Sequence, residues 1–405
     1  MLYLIIYAVL IASSVVSFVY YVVNSYWSMK YSREIRNKNV DLNTVTIAIP
    51  VYNEDPEIFR ECIDAVKMQG CGYIVVGDSS LEPYKTIVEE RGGIFIHMKD
   101  HGGKKKAMQE AMKHVNTEFV VLMDSDTILP ENAVISMLSH FDEKVGGVGA
   151  NIGIKRTGSP VSYCSEFVER SREVVFRAMS AHGNVRNLDG ACSTYRTALI
   201  RPFISSEEFL GVNKRGKTNV LGEDWLLTGY VIRSGYIAVK DYETRVESYP
   251  PKDFRKFVKQ NVRWSRSGWR RFGKELTNGT AAKAGKFYTF ELVYTYMIPL
   301  IALAFIIFRG YHFLEINYSY LVSFNIMGIF TPRHFEHVGY FLYSRIGMEF
   351  VDLFGTGIFV MGIVDRIKTD RLKTLVYGAL AMAIIFVTTI YGLATFWKTS
   401  RWLSR

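Results

Sequence analysis

The sequence contains no CxxC pair; its four cysteines are Cys62, Cys71, Cys164 and Cys192. Neither a zinc site nor a disulfide framework is implied, which fits a reducing compartment. A GxxxxGK[ST] phosphate loop and a GxGxxG turn are also missing, so two familiar nucleotide-binding signatures are excluded. Composition reaches neither extreme. Of 405 residues 49% are hydrophobic and 22% charged, which describes neither a disordered chain nor one lying wholly in a membrane. The length accommodates one large domain with additions, or two domains. What is in excess is positive charge, a net +10. That points to an anionic partner, and nucleic acid, anionic lipid and a polyphosphate substrate all satisfy it.

Charge is absent from Leu2 to Ser28, a run longer than the roughly 20 residues that cross a bilayer. A signal peptide would want a basic start and a short apolar stretch ending in small residues, and neither is clear. Residues 1–28 are therefore predicted to be a transmembrane helix. Lys30, Arg33, Arg36 and Lys38 follow, which places the next segment in the cytoplasm. Residues 287–405 are predicted to form a C-terminal membrane region. Phe287–Phe308 carries one charge, Glu291, and Gly347–Val364 carries Glu349 and Asp352 near its start. Residues 313–330 are apolar but rich in Tyr, Asn and Ser, and read weakly. Arg366, Lys368, Arg371 and Lys373 want the cytoplasm, which is satisfied if 287–308 leads out and 347–364 leads back, with 311–346 outside. The tail residues Lys398, Arg401 and Arg405 want the same side. Both basic clusters are inside only if 374–397 does not cross and lies as an interfacial or re-entrant helix; hydropathy alone allows a plain crossing equally.

Between residues 40 and 250 the periodicity changes. Strands are expected at Val45–Val51, Tyr73–Val76, Ile94–His97, Phe119–Met123 and Gly147–Ile154. Helices are expected at Pro56–Met68, Pro83–Arg91, Lys104–His114, Glu131–His140 and Val161–Ser180. This alternation predicts an α/β domain, a mostly parallel sheet covered by helices. Ligands of such sheets sit at the carboxyl ends of the strands. There the sequence places Tyr52-Asn53-Glu54, Gly77-Asp78 and Asp124-Ser125-Asp126. A lone DxD is weak, because acidic pairs also cap turns and helices. Three acidic strand ends in one sheet repel one another unless a cation compensates them. Mg²⁺ or Mn²⁺ prefers such oxygens and binds phosphate as well.

His101-Gly102-Gly103-Lys104-Lys105-Lys106 opens a helix, a setting that suits phosphate, although a solvated basic face would read the same. Farther on come Gly222-Glu223-Asp224, opening the helical run Trp225–Arg233, and an amphipathic basic stretch from Phe254 to Phe272. In that stretch Arg263 offers the paired donors that suit a diphosphate. Trp264 and Trp269 suit a sugar face or a membrane interface.

These residues carry a resemblance. The segments "NEDPEIFRECIDAVK", "HGGKKKAMQEAM", "VVLMDSDTIL", "VGGVGANI", "LGEDWLLTGYVIRSGY" and "QNVRWSRSGWRR" follow the order and spacing of the processive family 2 glycosyltransferases. From about Val45 onward the chain resembles the hyaluronan synthases above all, with chitin and cellulose synthases further off. The QxxRW-type element is the most specific of the six.

The resemblance implies a GT-A type domain, Rossmann-like, over 40–250, and a QxxRW-bearing interface helix over 251–280. It implies that Tyr52 and Glu54 lie in the loop holding the uridine, that Asp78 binds base or ribose, and that Lys104 and Lys105 lie near the donor. Asp124 and Asp126 would hold the nucleotide and a Mg²⁺ or Mn²⁺ ion, with Asp126 the metal ligand. Asp224 would be the catalytic base, Arg263 would meet the diphosphate, and Glu223, Gln260 and Trp264 would face the acceptor. The implied activity is inverting transfer from a UDP-sugar to a growing β-linked polysaccharide. A polyprenyl-phosphate or other lipid acceptor is the alternative. The implied setting is the plasma membrane, multi-pass, with a cytoplasmic catalytic domain among membrane lipid.

Three departures from the family stand out. Asn187, in Asn187-Leu188-Asp189-Gly190-Ala191-Cys192-Ser193, occupies a position where hyaluronan synthases usually carry a cysteine. "ATFWKTSRW" is only loosely similar to the Trp-Gly-Thr gating loop. The usual hyaluronan synthase also has two further C-terminal spans and two N-terminal ones, where one is found here. A homo-oligomer or partner would be one way to complete a polymer channel. A transporter or receptor with a degraded transferase domain is opposed by the presence of Asp78, Asp124, Asp126 and Asp224. Nucleic acid as a partner has only the net charge in its favour, and membrane-flanking residues explain much of that.

Overall fold

A computed structural model describes residues 2–32, 40–211, 222–325, 327 and 339–398. Arg33, Arg36, Lys38, Arg401 and Arg405, on which the orientation rests, lie outside the described residues, as do residues 328–338 within the expected outer loop.

The sheet has eight strands: β1 Val45–Val51, β2 Gly72–Asp78, β3 Ile94–Met98, β4 Phe119–Met123, β5 Thr127–Ile128, β6 Val145–Ile154, β7 Cys192–Arg196 and β8 Ile237–Ser248, in the order β3-β2-β1-β4-β7-β6-β8-β5. Pairings β1–β2, β1–β4, β2–β3 and β6–β8 are parallel. Pairings β4–β7, β6–β7 and β5–β8 are antiparallel. The expected parallel sheet is thus present as β3-β2-β1-β4, and turns mixed where β7 enters between β4 and β6.

Alternation along the strands splits the core in two. Ala48, Val120 and Leu122 point to one face, against Met108 and Met112 of α4 (Lys104–His114) and Leu227 of α9 (Glu223–Arg233). Ile47, Ile49, Val121 and Met123 point to the other, against Phe59 and Ile63 of α2 (Pro56–Lys67) and Met137 of α5 (Ala133–Ser139). A period of two on a sheet buried on both faces gives this division. Helix starts are locally encoded: Asp55 accepts from Glu57 N before Pro56, and Ser159 accepts from Ser162 N before Pro160 of α6 (Pro160–Ala181).

One close approach fixes the 186–190 loop against β6. A Cβ on Gly149 of β6 would lie 2.2 Å from the Leu188 carbonyl oxygen. Gly149→Ala should therefore cost about 1–3 kcal/mol, measured as a lower denaturation midpoint. An unchanged midpoint would mean that the 186–190 backbone is not held against β6.

Around this domain lie the long helices α1 (Leu2–Lys30), α12 (Lys286–Val322), α13 (Gly339–Arg366) and α14 (Arg371–Leu393), with α10 (Phe254–Thr277) beneath the sheet's carboxyl edge. Among the described residues three segments are long and apolar enough to cross a membrane: Ala8–Lys30, Lys286–Glu315 and Arg371–Leu393. The expected span Gly347–Val364 lies within α13, which is not one of these. Its Asp352 accepts a hydrogen bond from Ser14 of α1 at 2.9 Å. Helices α1 and α12 are tied by Asn24 Nδ2 donating to Glu291 Oε1 at 2.6 Å and by stacked Tyr20 and Tyr294 rings 3.7 Å apart.

Helix α14 is docked on α6 and α10. At its start Arg156 bonds Asp370 at 3.0 Å and the Thr369 carbonyl at 2.7 Å. Near its end Trp269 Nε1 donates to the Thr389 carbonyl at 2.9 Å. Beyond it Arg266 donates to Thr395 Oγ1 at 2.9 Å and Arg270 to the Phe396 carbonyl at 2.6 Å. Gly392 permits this approach, since a Cβ there would lie 2.5 Å from Ser265 Cβ.

Candidate active site

Segments far apart in the chain converge on one cleft of about 480 Å³. The carboxyl ends of β1 and β4 supply Tyr52, Glu54, Asp124 and Asp126; the first turn of α9 supplies Glu223 and Asp224; α10 supplies Gln260, Arg263 and Trp264. The α10 residues are spaced so that they share a helix face. That face continues through Ser267, Gly268 and Arg271, which also line the cleft. The opposite face of α10 is the one held by α14, so the QxxRW helix is pressed between the site and the apolar layer. Trp264 stays 44% exposed.

Lys104 is the electrostatic hinge of the site. Its Nζ lies 2.6 Å from Asp124 Oδ1 and 2.6 Å from Glu223 Oε1. Burial alone would push its pKa down, but the two carboxylates overcome that and hold the ammonium above its ordinary value. Burial would raise Glu223, yet Lys104 draws it down to about 2. Gly190 lies directly over this amine, where a Cβ would stand 3.0 Å from Nζ.

Asp224 differs from its neighbour. Burial first, then the Glu223 charge, raise its pKa above the usual carboxylate value; a hydrogen bond from Asn187 opposes this. Asn187 Nδ2 donates to Asp224 Oδ2 at 2.8 Å and to Asp189 Oδ1 at 3.0 Å. Asp189 in turn pairs with Arg172 and Lys240, the latter two tying the loop to α6 and β8. The backbone is locked as well: Leu188 N donates to Thr228 Oγ1 at 3.1 Å, and Thr228 Oγ1 to the Asp224 carbonyl at 2.8 Å.

Two expected site residues sit elsewhere. Asp78 is buried and is not part of the cleft lining. Its carboxylate accepts from Gly102 N at 2.7 Å and Gly103 N at 2.9 Å, and lies 2.9 Å from His101 Nδ1. It shapes the turn before α4, and through His101 the place of Tyr52, whose ring centroid is 4.3 Å away. Lys105 is buried beside the Phe209 ring, 5.6 Å from its centroid, and burial lowers its pKa to about 8. It too lies outside the cleft lining.

For a metal, among the described residues no three His, Cys, Asp or Glu side chains form a closed site. Mg²⁺ or Mn²⁺ ordinarily takes only one or two carboxylates when substrate phosphates supply the rest. Asp126, buried and lining the cleft, fits that role, whereas Asp124 has one oxygen on Lys104.

The family model described as "Glycosyltransferase like family 2" matches residues 43–267, more than half of the chain. The chain belongs to glycosyltransferase family 2. It is 24% identical to an N-acetylglucosaminyltransferase of Azorhizobium caulinodans over 61% of this chain and 65% of that protein. It is 25% identical to hyaluronan synthase 2 of Rattus norvegicus, over 66% of this chain and 58% of that one. With hyaluronan synthase 3 of Mus musculus the figures are 26%, 87% and 74%. The chain thus spans less than two thirds of the first two relatives. Among solved structures it is similar in fold to a mannosyltransferase of Pyrobaculum calidifontis in complex with GDP-Man and Mn²⁺, with TM-score 0.56, 16% identity and 98% and 99% coverage.

The family 2 domain is accordingly GT-A-like, a curled mixed sheet with helices, and the protein is a sugar-transferring enzyme. Its structure brings ten expected site residues into one cleft and leaves Asp78 and Lys105 behind it. Residues that the sequence did not single out for the site are Arg172, Arg186, Asp189 and Tyr296, which line it. In the sequence Asn187 stands out only as a departure from the family. Nothing in a DxD or QxxRW pattern points to residues on the loop before β7 or on α12.

Proposed function

We propose that this glycosyltransferase moves a sugar, with inversion, from a UDP-sugar to a growing β-linked polysaccharide containing N-acetylglucosamine. The carrying observation is one cleft that holds both a DxD at a sheet edge and a buried aspartate, Asp224, with a raised pKa. The acceptor hydroxyl attacks the anomeric carbon, its proton passes to an Asp224 carboxylate oxygen, and the bond from that carbon to the diphosphate oxygen breaks. General-base help of this kind is worth roughly 10²–10⁴-fold. Arg263 and Lys104 lie on the side where the leaving diphosphate gathers charge. A Mg²⁺ or Mn²⁺ ion held by Asp126 would neutralise part of that charge. Tyr52 and Glu54 hold the uridine, with Asp78 organising the turn beneath; Gln260, Trp264 and Glu223 meet the acceptor. The relatives' names support the sugar class.

The setting that follows is a membrane face, with the catalytic domain cytoplasmic, α1 and α12 crossing, and α13 leading back so that α14 reaches the same side as that domain. One end of α14 is bonded to Arg156 of the catalytic domain and the other to the interface helix α10, which supports an interfacial helix over a crossing one. A lipid-linked acceptor is the second reading. It is favoured by Tyr296 of α12, which lines the cleft and brings the acceptor end to an apolar helix.

Purified protein given a panel of labelled nucleotide sugars, UDP-N-acetylglucosamine and GDP-mannose included, should release UDP only with metal present and yield high-mass product. A single-sugar product extracted into organic solvent would establish the second reading instead. No metal-dependent UDP release from any UDP-sugar would refute the donor class.

A further inference from the structure

Asn187 has a forced orientation. Both partners of its amide nitrogen, Asp224 Oδ2 and Asp189 Oδ1, belong to carboxylates, which when ionised only accept hydrogen bonds. The amide cannot flip, because its carbonyl oxygen would then face two negative oxygens. In the orientation that remains, Asn187 Oδ1 is buried and has no hydrogen-bond partner among the described residues. Native proteins seldom leave such an atom unless the group has other work. The loop that carries it is over-determined: Gly149 admits the Leu188 backbone, Thr228 binds Leu188 N, and Ser193 Oγ donates to the Leu188 carbonyl at 2.8 Å.

We propose that Asn187 is a positioning residue for the base, aiming the Asp224 carboxylate and tying it to the buried Asp189–Arg172–Lys240 network; this rests on reading Asp224 as the base. One amide bridges two carboxylates that would otherwise repel, so the base keeps one rotamer while Asp189 is neutralised from behind. A cysteine at this place, as hyaluronan synthases usually have, offers one weak donor and cannot bridge both. The charged and titratable groups that act on Asp224 are Glu223 on its own helix, Asp189 on the loop, Lys104 and Lys105 on α4, and Tyr195 on β7. Asp224 Oδ1 also accepts from Trp225 N at 2.8 Å, a backbone donor that substitution leaves in place, whereas Asn187 is the side-chain donor on Oδ2 and its removal changes no charge.

The test is the pH–rate profile of transfer for full-length wild type, Asn187→Ala, Asn187→Cys and Asn187→Ser, with Asp224→Asn alongside and denaturation midpoints recorded for each. Without the amide the carboxylate is easier to protonate, so the acid limb of kcat/KM moves to higher pH. The expected shift is roughly one pH unit for Ala and Cys and a smaller one for Ser. The loss is then greatest in acid and shrinks as pH rises. An acid limb that stays in place, with any loss of rate equal at all pH values and tracking a lower midpoint, makes Asn187 merely structural and overturns the proposal. If Asp224→Asn itself transfers at the wild-type rate, the base assignment fails, and this proposal with it. If Asp224→Asn is inactive while the Asn187 profiles are unmoved, only this proposal fails.

Discussion

Asp224→Asn is expected to lower sugar transfer by roughly 10²–10⁴-fold while UDP binding stays close to that of wild type. The reason is the division of labour within α9's first turn. Glu223 is tied to Lys104 and through it to the DxD, whereas Asp224 is bonded to Asn187, away from the DxD. An amide at position 224 keeps the shape and cannot take a proton. The same substitution has an opposite effect on stability. Asp224 is a buried carboxylate whose folded pKa is raised, so its contribution to stability is complete below the unfolded pKa and is lost as pH rises through the folded one. At neutral pH the ionised group opposes folding. Asp224→Asn should therefore raise the denaturation midpoint at pH 7, and the difference from wild type should vanish in acid. An inactive variant that is also less stable at pH 7 would mean that the side chain serves the fold. Near-normal transfer would dismiss it as the base. The pairing of lost activity with gained stability is what a functional buried charge predicts.

The legible part of the fold was its apolar strands. Val45–Val51 and Phe119–Met123 are bounded in the structure as the sequence suggests, because continuous Val, Ile and Leu runs bounded by polar residues have few other places to go. Strands β7 and β8 were not legible. Cys-Ser-Thr-Tyr-Arg is short and mostly polar, and β8 runs through Lys240, Asp241, Glu243, Arg245 and Glu247. Their burial depends on partners in the tertiary structure: Lys240 on Asp189, Asp241 on Ser136, Arg196 on the Val145 and Asp142 carbonyls. The same holds within the site. DxD and QxxRW patterns found the strand ends and the helix face, since those positions follow from local periodicity. Asp78 shows the limit. Its place after β2 was evident, but that its oxygens are taken up by Gly102 and Gly103 depends on how a turn 24 residues later folds back. Asn187 is the converse case, a residue whose side chain meets α9 only because Gly149 lets its loop lie flat on the sheet.

Asp126→Ala is expected to abolish the metal dependence of nucleotide binding. With Mg²⁺ or Mn²⁺ present, affinity for UDP should fall at least roughly 100-fold, since replacing a group that merely orients a metal ligand already costs 10–100-fold. Position 126 is the sharper choice of the two DxD carboxylates. Asp124 anchors Lys104, so Asp124→Ala would leave that ammonium to Glu223 alone and disturb the acceptor side as well. Asp126 lies in the β4–β5 turn, whose backbone is held independently by Asp124 N on the Ala191 carbonyl at 3.1 Å and Thr127 N on the Asp124 carbonyl at 3.3 Å. The turn should therefore keep its shape without the 126 carboxylate. Binding of UDP is measured by calorimetry with metal and with EDTA. Wild type should lose affinity when EDTA is added, and Asp126→Ala should give the same weak value in both. If the variant still binds more tightly with metal, the ion is held elsewhere. If wild type is indifferent to EDTA, the cleft offsets the diphosphate charge with Arg263 and Lys104 alone. A transferase built that way should show donor affinity falling steeply with salt, a dependence that a bound divalent ion would blunt.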